Sequence, residues 1–147
     1  MDVIFTTRFG SLTVEPHDVL TFEKGLVGLE DCRHWVVLTD SKNHSLGWLQ
    51  SLEQGHIALG VVSPRRFVPE YQVRVSRSDL MTLQLSTIRD AEVVVLASRR
   101  ESGITLNLRG PLIINVENRQ GCQVIAKDEY PVQYPLDMHN TKIRRIA

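Results

Sequence analysis

The chain is poor in the residues that build most metal sites, covalent frameworks and active sites. It has only two cysteines, Cys32 and Cys122, far apart and without a neighbouring ligand. Both are expected to be reduced thiols of a cytosolic protein. Its five histidines, His17, His34, His44, His56 and His139, are scattered through turns, strand edges and the C-terminal tail. None forms a helical His pair or a His–Cys spacing, so no metal or other cofactor is expected unless the fold alone assembles a site. No serine stands in a nucleophile-elbow context and the carboxylates form no paired acid–base motif, which speaks against an enzyme. No apolar run approaches the length that spans a bilayer, and the N-terminus lacks a basic stretch leading into an apolar one. A cytoplasmic protein without a membrane segment or leader is therefore expected. Gly25 and Gly28 suit a tight loop, but the third glycine of a dinucleotide fingerprint and the Lys-Ser/Thr ending of a P-loop are missing.

An excess of one charge is missing too. The 17 Lys and Arg balance the 17 Asp and Glu. The balance is uneven along the chain: residues 1–60 hold 4 basic against 8 acidic residues, net −4, and residues 61–147 hold 13 against 9, net +4. Arg65-Arg66, Arg99-Arg100 and Arg144-Arg145 are candidate basic spots. At 147 residues the chain is long enough for one domain with a substantial core.

What the sequence does have is alternation. Residues 3–8 and 11–15 flank Phe9-Gly10 as a hairpin, residues 19–22 and 35–39 read as strands, and residues 46–52 and 56–62 form a second hairpin. Residues 29–33 are read as one helical turn and residues 71–75 as a strand. Ser76, with Asp79 three residues on, resembles a capping box that opens a helix of about two turns with Leu80, Met81 and Leu83 on its apolar face. Residues 92–98 are apolar on both sides through Val93, Val94 and Val95, so that strand lies centrally or against the helix. The densest pattern lies in residues 104–126, expected as a meander of three strands broken at Gly110-Pro111 and at residues 118–121. Asn107, Asn115 and Gln123 interrupt it. Each amide either satisfies backbone groups freed at the break or faces a partner, and the internal role is the stronger for Asn107 and Asn115. The whole predicts a mainly β, single-domain, antiparallel β-barrel-like fold over residues 1–136 with one or two short helices. Residues 137–147 are expected as a polar, basic tail dispensable for folding.

Residues Thr105 to Asn115, followed by Gln123-Val124, resemble the Thr-x-Asn-Leu-x-x-Pro-Ile-Val-x-Asn…Gln signature of the FliW family of flagellar assembly factors. Phe9-Gly10, Val14-Glu15, Phe22-x-x-Gly25-Leu26-x-Gly28, Trp48-Leu49-Gln50-Ser51, Pro64 and Pro69-Glu70-Tyr71 match the family pattern in order, as do Tyr130 and Tyr134-Pro135-Leu136. The resemblance implies a protein-binding adaptor. Its partners would be the RNA-binding translational regulator CsrA, whose repression of flagellin synthesis it relieves, and flagellin, which competes for it. No direct nucleic-acid binding is then expected. Candidate partner contacts are Gln50 and Ser51, the 64–71 loop with Arg65, Arg66, Phe67, Glu70 and Tyr71, and the amides Asn107 and Asn115. The alternative is a small nucleic-acid-binding barrel using Arg65 and Arg66 on phosphates and Phe67 and Tyr71 on bases, against which stands the lack of a basic surplus.

Overall fold

Short alternating runs separated by Gly, Pro and Asp turns favour pairing between neighbours in sequence, and most strands here do that. The computed structural model describes residues 3–43 and 45–136. Strands β1 (Val3–Thr7) and β2 (Gly10–Val14) form a separate hairpin. Then β3 (Leu20–Phe22), β4 (His34–Thr39), β5 (Gly47–Ser51), β6 (Ala58–Val62) and β7 (Glu92–Arg100) follow as antiparallel neighbours. The chain continues through β8 (Gly103–Leu106), β9 (Leu112–Asn115), β10 (Gln120–Gln123) and the two-residue β11 (Tyr134–Pro135). Strand β10 pairs antiparallel with β9 and parallel with β3, while β9 pairs with β7, so β3-β4-β5-β6-β7-β9-β10 close into a seven-stranded barrel. Closure removes the edges of these seven strands that invite aggregation, save where β6 ends short of the start of β7, and leaves β11 and the β1–β2 hairpin as short edges outside the barrel. The mainly β barrel is the expected class, with β3–β10 the one parallel pairing among the described residues.

The region around Gly110-Pro111 departs from the expected meander. Strands β8 and β9 both run antiparallel to β7, with Ala97 opposite Leu106 and Val94 opposite Leu112. Between those pairs, two residues of β7 face the five residues 107–111, so three extra residues bulge out of one interrupted strand. Gly110-Pro111 bends the chain without reversing it, because Asn107 holds it to β7: its N–H donates to the Leu96 carbonyl at 2.9 Å. Its side-chain Oδ1 accepts from the N–H groups of Arg109 and Gly110 at 3.1 and 2.9 Å, a local turn that replaces lost ladder bonds. Val124 and Ala126, expected in the third strand, instead donate their N–H groups to Pro111 and Arg109 at 3.0 and 2.8 Å, beyond the end of β10.

Alternation along β6, β7 and β9 divides the core. Val61, Val94 and Ile114 face the barrel interior with Phe22, Trp35 and Leu49. Val62 and Val95 turn the other way toward Val68, Tyr71, Leu106 and Leu108, and Ile113 meets Leu83 and Val124. The two-sided apolar character of β7 thus has its expected cause: the barrel fills one face and the 67–91 crossover covers the other. Burying each large side chain contributes about 1.5–3 kcal/mol. The crossover contains helix α1 (Arg77–Thr82), where Ser76 Oγ accepts from the Asp79 N–H at 3.1 Å. Leu83 is buried as expected, whereas Met81 is 69% exposed, since so short a helix turns only one side to the barrel. Residues 71–75 carry a strand pattern but join no ladder, and residues 29–33 form no helical turn. A single turn closes there, with the Cys32 N–H donating to the Leu29 carbonyl at 3.0 Å. Just before it the chain makes a tight reversal, with Leu26 bridged to Leu29 and Gly25 at φ +64°, where a Cβ would lie 2.6 Å from backbone atoms of Leu29 and Glu30. The predicted tail, His44 and His139 lie outside the described residues.

Candidate functional site

The 64–71 segment is anchored at both ends and exposed between. Pro64 opens a 3-10 turn over Pro64–Arg66, and its carbonyl accepts from the N–H groups of Phe67 and Val68 at 3.1 and 2.8 Å. Pro64 and Val68 are buried, Phe67 is half-buried, and Arg65, Arg66 and Glu70 are exposed. Arg65 turns back, its Nε–H donating to the Tyr71 carbonyl at 3.0 Å. Tyr71 itself is 1% exposed. Its hydroxyl donates to the Leu108 carbonyl at 2.6 Å and its ring lies 4.6 Å from that of Tyr130. Burial, then the neighbouring Tyr130, raise the Tyr71 pKa above the usual phenol range. The loop therefore offers Arg65, Arg66, Glu70 and part of Phe67 to solvent, and Tyr71 holds it down.

Of the remaining sequence-predicted residues, Gln50, Ser51 and Asn115 are buried and Asn107 is half-buried. Gln50 and Ser51 are 0% exposed. The Gln50 amide donates toward the carbonyls of Ser51, Gly55 and Ile57 at 2.9, 2.9 and 3.1 Å, and Ser51 Oγ accepts from the Gln54 N–H at 3.0 Å. Together they organise the β5–β6 turn. Asn115 donates to the Leu83 carbonyl at 2.8 Å and accepts from the Glu117 N–H at 3.1 Å, fastening the end of α1 to β9. Asn115 and Asn107 thus take the internal role that was the stronger expectation. Gln123 does the same between loops, donating to the Gly110 carbonyl at 2.9 Å and accepting from the Val27 N–H at 2.8 Å. A Cβ on Gly110 would meet the Gln123 and Asn107 amides at 2.8 and 3.0 Å, so a larger residue there would have to displace those two hydrogen-bonded side chains.

Two surface features escaped the sequence. The first is the apolar exposure on the expected N-terminal hairpin, at Val3, Ile4 and Phe9. The Phe9 ring stands 5.6 Å from that of Trp48 beside a cavity of about 250 Å³. Trp48 Nε1–H donates to Asp40 at 3.3 Å, and the Lys42 N–H and then Trp48 lower the Asp40 pKa. Nothing in the alternation of β1 marks Ile4 as outward-facing without the barrel beside it. The second is a groove of about 280 Å³ where the 64–71 segment meets the start of β7, lined by Arg65, Arg89 and Glu92 with Val73, Ile88 and Ala91 among its apolar walls. Arg89 and Ile88 have no motif that would single them out.

The fold also brings together three potential metal ligands, Glu15, His17 and Asp18, whose ligand atoms lie within 4.8 Å of one another. They are largely exposed, with His17 Nε2 3.1 Å from Glu15 and 3.5 Å from Asp18. Asp18 also caps the turn by accepting from the Glu15 N–H at 3.0 Å. Among the described residues no helix is long and apolar enough to cross a membrane.

The architecture has known counterparts. The sequence profile of the FliW protein family matches residues 3–136. The flagellar assembly factor FliW of Lachnoclostridium phytofermentans is 32% identical over 142 residues, covering 91% of this chain and 90% of that protein. The flagellar assembly factor FliW of Thermoanaerobacter pseudethanolicus is 34% identical over 137 residues, covering 90% and 91%. In fold, the chain matches a crystal structure of the flagellar assembly factor FliW with a TM-score of 0.85 at 24% identity, over 94% of this chain and 99% of the other. The family profile spans the hairpin, the whole barrel and β11, and on that extent of agreement this chain belongs to the FliW family of flagellar assembly factors.

Proposed function

We propose that this protein is a cytoplasmic, non-enzymatic adaptor that sequesters the translational regulator CsrA, relieves repression of flagellin synthesis, and exchanges CsrA for flagellin. The observation that carries this reading is the family match over residues 3–136. The physical character of the surface supports it. A closed barrel leaves few movable elements, so binding falls to rigid loops and the hairpin. Arg65, Arg66, Phe67 and Glu70 supply direct contacts in this reading. Tyr71 holds that loop from beneath, while Gln50, Ser51, Asn107 and Asn115 act indirectly by fixing the turns and loops around it, through the hydrogen bonds they make to backbone groups. The burial of Tyr71 removes it as a base-stacking platform and leaves a nucleic-acid role with little but isolated arginines.

With few bistable elements, exchange by overlapping sites is the simpler mechanism. Titrating flagellin into a preformed CsrA complex should raise the apparent dissociation constant for CsrA in proportion to the flagellin added. A plateau would mean coupling between separate sites. A stable three-way complex, or no capture of either protein, would overturn the reading.

A further inference from the structure

Strand β6 stops at Val62, opposite Val95 of β7. Continued in register, Ser63 would face Val94, and Pro64 would face Val93. Instead the chain leaves the sheet in the Pro64–Arg66 turn, and Pro64 has no N–H to offer. The Leu96 carbonyl points to the β8 side, where it accepts from Asn107. Strand groups alternate, so the N–H and C=O of Val93 point to the opposite side, the one β6 has left. Among the described residues no loop backbone group bonds to Val93 there. The facing segment is in the same condition. Residues 73–75 have the burial alternation of a strand, with Val73 and Val75 turned inward and Arg74 out, yet no backbone–backbone hydrogen bond engages them among the described residues.

The groove of about 280 Å³ lies where these two stretches approach, and it touches Val73, Glu92 and Val93. Its charged lining is Arg65 and Arg89 against Glu92, a surplus of one positive charge. At that size it is at the small limit of pockets for whole small molecules, about 300–1,000 Å³, and suits a few side chains of a longer partner. Unmet strand groups, alternating apolar walls and guanidinium groups together define the occupant by its chemistry.

We propose that this groove is a docking slot for an extended acidic peptide segment, which pairs with the free backbone of Val93 and residues 73–75 and sets carboxylates against Arg65 and Arg89. The proposal rests on the reading of the chain as a protein-binding adaptor and locates one contact on it. Its test uses the full chain, isotope-labelled for NMR, and two blocked peptides, one alternating valine with glutamate and the other valine with lysine. The glutamate peptide should give saturable shifts centred on Val93, residues 73–75 and Ile88, and slow the hydrogen exchange of the Val93 amide. The lysine peptide should bind at least about tenfold more weakly. Arg89→Gln should weaken the glutamate peptide about threefold or more, and Ala91→Phe, which fills the groove, should abolish its binding while thermal melting reports that each variant is folded. Equal affinity of the two peptides, no shifts at about 1 mM, or shifts centred elsewhere would each overturn the proposal. Failure to capture CsrA or flagellin would overturn the adaptor reading without altering this result, so the two fail separately.

Discussion

The Tyr71 hydroxyl donates a 2.6 Å hydrogen bond to the carbonyl of Leu108, 37 residues away, and both residues are buried. One bond thus ties the exposed 64–71 loop to the bulge that interrupts β8 and β9. Tyr71→Phe keeps the ring against Tyr130 and removes only the donor, leaving the Leu108 carbonyl unpaired. The expected cost is about 1–3 kcal/mol, read as a lower urea midpoint with an unchanged slope. An unchanged midpoint would mean that water or a neighbouring group replaces the hydroxyl.

Asn107→Ala removes the acceptor that serves the N–H groups of Arg109 and Gly110. Those donors stand at the bend, one near solvent, so the loss should cost about 1–3 kcal/mol. Asn107→Asp retains an acceptor at the same place and should be milder. If Asn107→Ala leaves the unfolding midpoint in place but loses partner binding, the residue belongs to the interface instead.

The contrast between Asn107 and its neighbourhood shows where sequence reasoning reaches. The hairpins β1–β2 and β5–β6 were legible because period-two alternation on both arms and a short turn contain all the information a hairpin needs. Exposure of Arg65, Arg66 and Glu70 followed from a loop bracketed by prolines. Gly110-Pro111 looked like a reversal because the hydrogen bond from Asn107 to Leu96 that keeps the chain along β7 is a tertiary fact. Residues 71–75 looked like a strand for the same reason: alternation reports which side is buried but not whether a ladder partner stands alongside. The parallel pairing of Gln120 with Thr21 joins distant parts of the chain and leaves no local trace. Gln50 and Ser51 stand out in the sequence only through the Trp48-Leu49-Gln50-Ser51 match to the family pattern, and no local signal shows that the carbonyls of Gly55 and Ile57 in the following turn satisfy the Gln50 amide nitrogen.

Gly55 marks where the N-terminal hairpin docks on the barrel. A Cβ at this position would collide with the carbonyl oxygen of Thr6, a backbone atom that cannot swing aside. Gly55→Ala should therefore push the hairpin away and cost about 1–3 kcal/mol, the usual range for overpacking. Amide exchange should speed up in β1 and β2 more than in β4 or β5. Equal acceleration throughout would show that the hairpin and barrel open as one unit.

The two thiols give a prediction with a definite pH sign. Cys32 is 0% exposed in the barrel core, and Cys122 is half-buried on β10. Burial, with a smaller contribution from the Asp79 carboxylate, raises the Cys122 pKa from 9.0 to about 11. Since the thiolate is the attacking species, alkylation of the folded protein at pH 8 should be slow at both positions and become rapid in denaturant. The folded state favours the protonated Cys122 thiol, so its stabilising effect is complete below pH 9.0 and is lost as pH rises toward about 11. Cys122→Ser should flatten this alkaline loss in a series of melting curves, since serine does not titrate there. Rapid labelling of Cys122 at pH 8 without denaturant would show that the strand opens locally, and an alkaline loss unchanged in Cys122→Ser would assign it to other groups.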